Sequence, residues 1–165
     1  QGVELDTKWH KMPLRNVLPK PVQKPHPPIW LGGQHPDAIR RAAKIADGWM
    51  AAGASTTPDY GKYVKILREE LEKLGRDPAK FPISKRVFMS VAERTDTAKA
   101  ELDRWYSTVY QRPGGANDGD IHGTPAQVRE QLEALVAVGA NHILVNPVGR
   151  HVEQIEAVAE VVGLA

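Results

Sequence analysis

The sequence has no cysteine, which excludes a disulfide framework and any thiolate metal site. No apolar run approaches the length of a membrane span, and no secretory leader pattern is visible. Neither charge sign dominates. Against 22 Lys and Arg stand 20 Asp and Glu, a net charge of +2, with the signs mixed along the chain. A nucleic-acid partner would need a basic stripe, so neither nucleic acid nor membrane is expected. The histidines, His10, His26, His35, His122, His142 and His151, show no ligand spacing on any single helix, so no metal is expected. There is no G-x-S-x-G motif and no Ser/His/Asp order stands out. No acid–base dyad is evident, and catalytic residues stay unassigned. The lack of cysteine is compatible with an intracellular enzyme, and a cytoplasmic location is the expectation.

What remains is an ordinary globular composition. The chain has 165 residues, 41% hydrophobic and 25% charged, enough for one domain with a core. It opens on Gln1 rather than Met, as a trimmed product or a piece of something longer would. Its organising stretch is Pro27-Pro28-Ile29-Trp30-Leu31-Gly32-Gly33-Gln34-His35-Pro36-Asp37-Ala38. Ile29-Trp30-Leu31 has no alternation and suits a strand buried on both faces. Gly32 and Gly33 allow a sharp, bare turn. Pro36 suits a first helical position, which makes His35 the N-cap. Free N–H groups and the helix dipole at such a turn favour a phosphate. A plain strand–turn–helix joint would use the same glycines.

Residues 1–28 read as an extended lead-in arm, because Pro19, Pro21 and Pro25 forbid a long helix. Trp9, His10 and Met12 could line a ligand, though a packed aromatic is the plainer role for Trp9. Residues 29–165 read as strand–helix units. The strands are Ile29–Leu31, Trp49–Ala52, Ile83–Ala92 and Asn141–Val148. The first helix turns Ile39, Ala42, Ala43 and Ala46 inward and ends at Asp47-Gly48. The second opens at Thr57-Pro58 and carries Tyr60, Val64, Leu67, Leu71 and Leu74. The third spans Thr95–Val109, with Trp105, Tyr106 and Val109 inward. Gln111 to Asp120 is a mobile loop by composition. Thr124-Pro125-Ala126-Gln127 forms a capping box for a fourth helix that stops at Gly139. The last helix, His151–Val162, presents Val152, Ile155, Val158, Ala159 and Val162. Alternating strands and helices predict an α/β fold with a parallel sheet, either doubly wound or part of a β/α barrel. A full barrel takes about 250 residues, so four units make half of one.

Asn16-Val17-Leu18-Pro19-Lys20-Pro21-Val22-Gln23-Lys24-Pro25-His26-Pro27-Pro28-Ile29-Trp30 resembles the segment before the fifth strand of the bacterial-luciferase-like monooxygenase family. Gly32-Gly33, Ala46-Asp47-Gly48-Trp49, His122-Gly123-Thr124-Pro125-Ala126-Gln127-Val128 and Gly139-Ala140-Asn141-His142-Ile143-Leu144-Val145-Asn146-Pro147 resemble its later landmarks, in order. The resemblance implies the C-terminal half, strands five to eight, of a TIM-type β/α barrel. It implies FMN, or alternatively the deazaflavin coenzyme, at the C-terminal mouth, and oxidation chemistry on a small organic substrate. The turn after strand five would hold the cofactor phosphate through Gly33, Gln34 and His35, with Gly32 shaping the turn. The family commonly has serine where Gln34 stands; Gln34 can donate through its amide. Trp49 would line the isoalloxazine side of the pocket, or pack at its rim. A cofactor that brings the hard chemistry agrees with the missing acid–base dyad. Ile29–Leu31 and Ile143–Val148 would be edges, calling for a second copy of the chain or an absent N-terminal half. By itself the polypeptide should then show little or no oxidoreductase activity. A non-catalytic half-barrel that pairs with itself or a partner chain is the alternative.

Overall fold

The computed structural model describes residues 2–16 and 18–164; Gln1, Val17 and Ala165, including the Val17 of the lead-in resemblance, lie outside them. Twelve elements follow in order. Strand β1 (Val3–Asp6) pairs antiparallel with β2 (Lys11–Arg15) as a hairpin. The main sheet holds β3 (Trp30–Gly32), β4 (Gly48–Ala51), β5 (Ile83–Val91), β6 (Ile121–Gly123) and β7 (His142–Pro147), all parallel. The helices are α1 (Pro36–Ile45), α2 (Thr57–Lys73), α3 (Thr95–Val109), α4 (Pro125–Ala137) and α5 (His151–Val162).

The strand–helix alternation is the one expected from sequence, and the main path β3-β4-β5-β7 is four neighbouring parallel strands. Ser84 faces both Met50 and His142, so β4 and β7 flank β5 on opposite edges. Met89 faces both Ile121 and Pro147, which places β6 beyond β4 on the same edge of β5. Strand β6 was not expected: three residues ending in glycine carry no periodic signal. It exists because β5, at nine residues, outruns β4.

Local chemistry explains the boundaries. His35 Nδ1 accepts from Asp37 N at 3.3 Å and starts α1 at Pro36. Thr56, one residue before the expected start, caps α2. Thr124 and Gln127 form the expected capping box of α4. The Arg76 guanidinium donates to the Ala43 and Ala46 carbonyls and closes the C-terminus of α1. Asn141 bonds Ile83 N and Phe81 O, fixing the register of β7 against β5.

Successive side chains in a strand alternate between faces. Leu31, Trp49, Ala51, Ile83, Val87 and Met89 point to the helices and pack against Ile39, Tyr60, Val64, Leu67 and Leu71. This outer face is the core. Three expectations change here. The lead-in segment contains a hairpin, and its Trp9 is 77% exposed with the Lys8 ammonium over its ring, not packed. The C-terminal end of the 111–120 loop is held in place: Asp120 accepts from Asn117 N and the Tyr106 hydroxyl, and Gly119 packs on the Gly53 and Ser55 carbonyls. On α5, Val152 and Ile155 are 67% and 61% exposed, because no further unit lies against them. Val109, Leu74 and Val136 likewise turn outward.

Candidate functional site

In a parallel sheet flanked by helices, ligands bind beyond the C-terminal ends of the strands. The turn after β3 lies there. Gly33 adopts φ +131°, and a Cβ at that position would stand 2.8 Å from the Ala38 Cβ. The glycine is therefore required by conformation and by close approach of α1. The register Gly32↔Met50 turns the Gly33 N–H toward the Met50 carbonyl. Among the described residues the N–H groups of Gln34 and His35 make no hydrogen bond to the protein, while the N–H of Asp37 is taken by His35. Gln34 is half-buried and His35 exposed.

Trp49 is not where a pocket lining would be. It is fully buried on the outer face, stacked on Tyr60 at 5.9 Å between ring centroids. Its indole Nε1 donates to the Gly33 carbonyl at 2.9 Å. Strand parity decides this: Gly48 and Met50 face inward, so Trp49 faces the helices. Its role in this chain is to hold the glycine turn in place from behind.

The inner face carries different chemistry. Trp30, Met50, Arg86, Phe88, His142 and Leu144 alternate with the core residues. A cavity of about 380 Å³ opens between Trp30, Gly32, Gly33, Met50, Ala52 and Arg86. It thus joins two of the expected residues, Gly32 and Gly33, to one that sequence reasoning missed. Arg86 is half-buried, its guanidinium carbon lies 5.1 Å above the Phe88 ring, and its Nε is buried without a hydrogen-bond partner. Phe88 also meets Trp105 of α3, with centroids 4.6 Å apart, beside Tyr106 and Tyr110. Helix α3 therefore brings an aromatic wall to the mouth of the sheet.

Lys85, the neighbour of Arg86, faces the other way. It is 1% exposed, and its Nζ donates to the carbonyls of Ala52, Gly53 and Ser55 and to the Ser55 hydroxyl, at 2.7–3.0 Å. Burial pushes its pKa down to about 8. The lysine gathers the β4–α2 loop and lays Gly53 over Arg86 and Phe88, where an added Cβ would stand 3.8 Å from Arg86 Nε. Beyond β7, Arg150 forms a two-pronged ion pair with Glu101, with contacts at 3.0 and 3.1 Å. Burial opposes the charge of Glu101, but hydrogen bonds from Arg150 and Ser90 hold its pKa below the usual range. Gln154, 1% exposed, bonds Val91 through both ends of its amide and ties α5 to the end of β5.

These features place a glycine turn, a cation and an aromatic wall at one end of a parallel sheet. The profile of the family described as luciferase-like monooxygenase matches residues 6–163. The chain belongs to the luciferase-like monooxygenase family. Among curated proteins it is similar to an FMNH(2)-dependent dimethylsulfone monooxygenase from Pseudomonas putida, at 27% identity over 157 residues, covering 78% of this chain and 43% of that protein. Among solved structures it resembles an F420-dependent secondary alcohol dehydrogenase bound to an F420–acetone adduct (TM-score 0.77, 16% identity, 99% of this chain and 56% of that one). It also resembles monooxygenase RslO1 from Streptomyces bottropensis (TM-score 0.74, 18% identity, 96% and 54%). The chain spans about half the length of the relatives it matches. Its four main parallel strands are about half of a β/α barrel relative to those structures.

Among the described residues no group of His, Asp and Glu is arranged to hold a metal, and no helix is long and apolar enough to cross a membrane.

Proposed function

We propose that this chain is the cofactor-phosphate half of a flavin- or deazaflavin-dependent oxidoreductase acting on a small organic substrate. The observation that carries the reading is the Gly32–Gly33 turn. It has two N–H groups without acceptors, those of Gln34 and His35, and opens on a cavity that contains an unpaired guanidinium. A flavin phosphate suits that donor set, so the residues present fit the group. Gly33, Gln34 and His35 would hold the phosphate and Gly32 would shape the turn. Trp49 would keep the turn rigid through the Gly33 carbonyl. When bound, the cofactor supplies the redox chemistry; this chain supplies position and positive charge. The relatives named above divide between FMNH(2) and coenzyme F420 by their descriptions, and FMN is our first choice.

The half-barrel also needs a neighbour. Among the described residues, strand β7 bonds only β5, and β3 only β4, so each leaves a free edge. An apolar groove of about 610 Å³ lies beside β7, lined by Leu132, Val136, Ile143, Val145, Val158 and Val161. A complementary β/α half, the barrel's N-terminal portion, would pair those edges and fill the groove. A second copy of the chain is the other way to close eight strands.

The test compares FMN with riboflavin by fluorescence titration. Tighter binding of FMN, by about tenfold or more from charge-assisted hydrogen bonds, is the expected result. Equal affinities would remove the phosphate site and with it the reading. Light scattering should find the chain associated, and turnover should be absent without the complementary half. A monomer that binds flavin tightly and turns over would overturn the half-barrel account.

A further inference from the structure

We infer that Arg86 is the receptor for an oxyanion held inside the inner-face cavity. Arginine at such a place would ordinarily face a carboxylate. Among the described residues Arg86 forms no ion pair, and its Nε is shut away from solvent without an acceptor. A buried donor without a partner is destabilising, and more so when it is charged. Among the described residues the compensation is the face of Phe88 at 5.1 Å. Nothing in the fold forces this cation inward for packing, because Arg86 is the least buried residue of β5.

The surroundings are built for a ligand. The cavity that Arg86 shares with Gly32 and Gly33 has room for a small anion, about 380 Å³. Gly53 lies over the guanidinium, close enough that a Cβ there would be in van der Waals contact with Arg86 Nε and the Phe88 ring. The loop that carries Gly53 is fixed from the far side by the four hydrogen bonds of Lys85. Lys85, next in sequence, faces away from the cavity with its ammonium engaged by that loop, so Arg86 is the cation that lines the cavity. A planar guanidinium with open donors matches a carboxylate, sulfonate or phosphate in a fork-to-fork contact. The oxyanion has two possible sources: the phosphate of the cofactor, or an acidic group on the substrate.

The experiment follows the Arg86 Nε–Hε signal by nuclear magnetic resonance while the 165-residue chain is titrated with methanesulfonate, acetate and inorganic phosphate. The expected result is a saturable shift of that signal, with the Gly33 amide moving at the same midpoint. Arg86→Gln should weaken the Gly33 response by about tenfold or more. Arg86→Lys should restore part of it through charge alone. FMN that displaces the small anion, with riboflavin unable to, assigns the site to the cofactor phosphate. Riboflavin binding that leaves the small anion in place assigns it to an acidic substrate. A linear, unsaturable drift equal to that of the exposed Arg41 would overturn the inference, as would a Gly33 response that Arg86→Gln leaves unchanged. The small-anion arms need no flavin, so failure of FMN to bind would count against the proposed function and not against the anion site.

Discussion

The two faces of the main sheet are made from the same strands and follow different rules. The outer face is continuous and apolar: Trp49, Ile83, Val87 and Met89 are fully buried under α1, α2 and α4. The inner face mixes Trp30, Met50, Ser84, Arg86, Phe88 and His142, and leaves Leu144 38% exposed. One face is optimised for packing, so its residues can be exchanged only for others of like volume. The other holds polar and aromatic groups, some paired across strands, as Ser84 is with His142, and one, Arg86, with a buried Nε that has no hydrogen-bond partner. Stability lives on the helix side, and the proposed function places the chemistry on the side a barrel would enclose.

Substitutions can break that division. The largest effect is expected for Leu67→Ala, which empties a fully buried site against the outer face. It should cost about 2–5 kcal/mol in denaturant unfolding, whereas Leu144→Ala on the inner face should cost less than about 1 kcal/mol. Equal losses would mean that the inner face is packed in solution by a partner copy.

A smaller effect, and one that joins the two faces, is expected at the glycine turn. Gly33→Val must adopt φ +131° and press on Ala38. A loss of about 1–3 kcal/mol follows from the strain, together with loss of the preference for FMN over riboflavin. Retained preference would show that the turn is only a joint.

The smallest change expected is in pH dependence. Burial lowers the Lys85 pKa from 10.5 to about 8. Below pH 8 both folded and unfolded chains hold this proton, and the cost of burying the charge is fully present. Between pH 8 and 10.5 the unfolded chain holds more protons, so the stability contributed by this site rises with pH. Wild type should gain stability across that window relative to Lys85→Met, whose own curve lacks this component. Parallel curves would show that the four oxygens around Nζ hold the charge as well as water does.

Much of this was legible in the residues. Cap-then-proline signals at His35-Pro36 and Thr124-Pro125 set helix starts, and the capping box at Thr124 and Gln127 formed as expected. The apolar runs at Ile83 and Ile143 became neighbouring strands. These are local effects, decided by dihedral preference and by hydrogen bonds a few residues long, and a sequence states them directly. The β1–β2 hairpin and β6 left no such trace, since the hairpin is exposed and β6, though buried, has only three residues, too few for a hydrophobic period to read.

The candidate site divides along the same line. The sequence by itself determined that a bare turn would follow Leu31, because Gly32 and Gly33 precede a helix start. It could not say that Trp49 would turn to the helices, or which of Lys85 and Arg86 would face the cavity. Both answers depend on strand register, which places successive residues on opposite faces and is fixed by contacts distant in sequence, such as Asn141 with Ile83 and Phe81. Only the tertiary structure brought Arg86 beside Gly33 and closed Gly53 over it, because those approaches are made by pairing β3, β4 and β5 side by side, and no local pattern encodes the pairing of strands separated by whole helices.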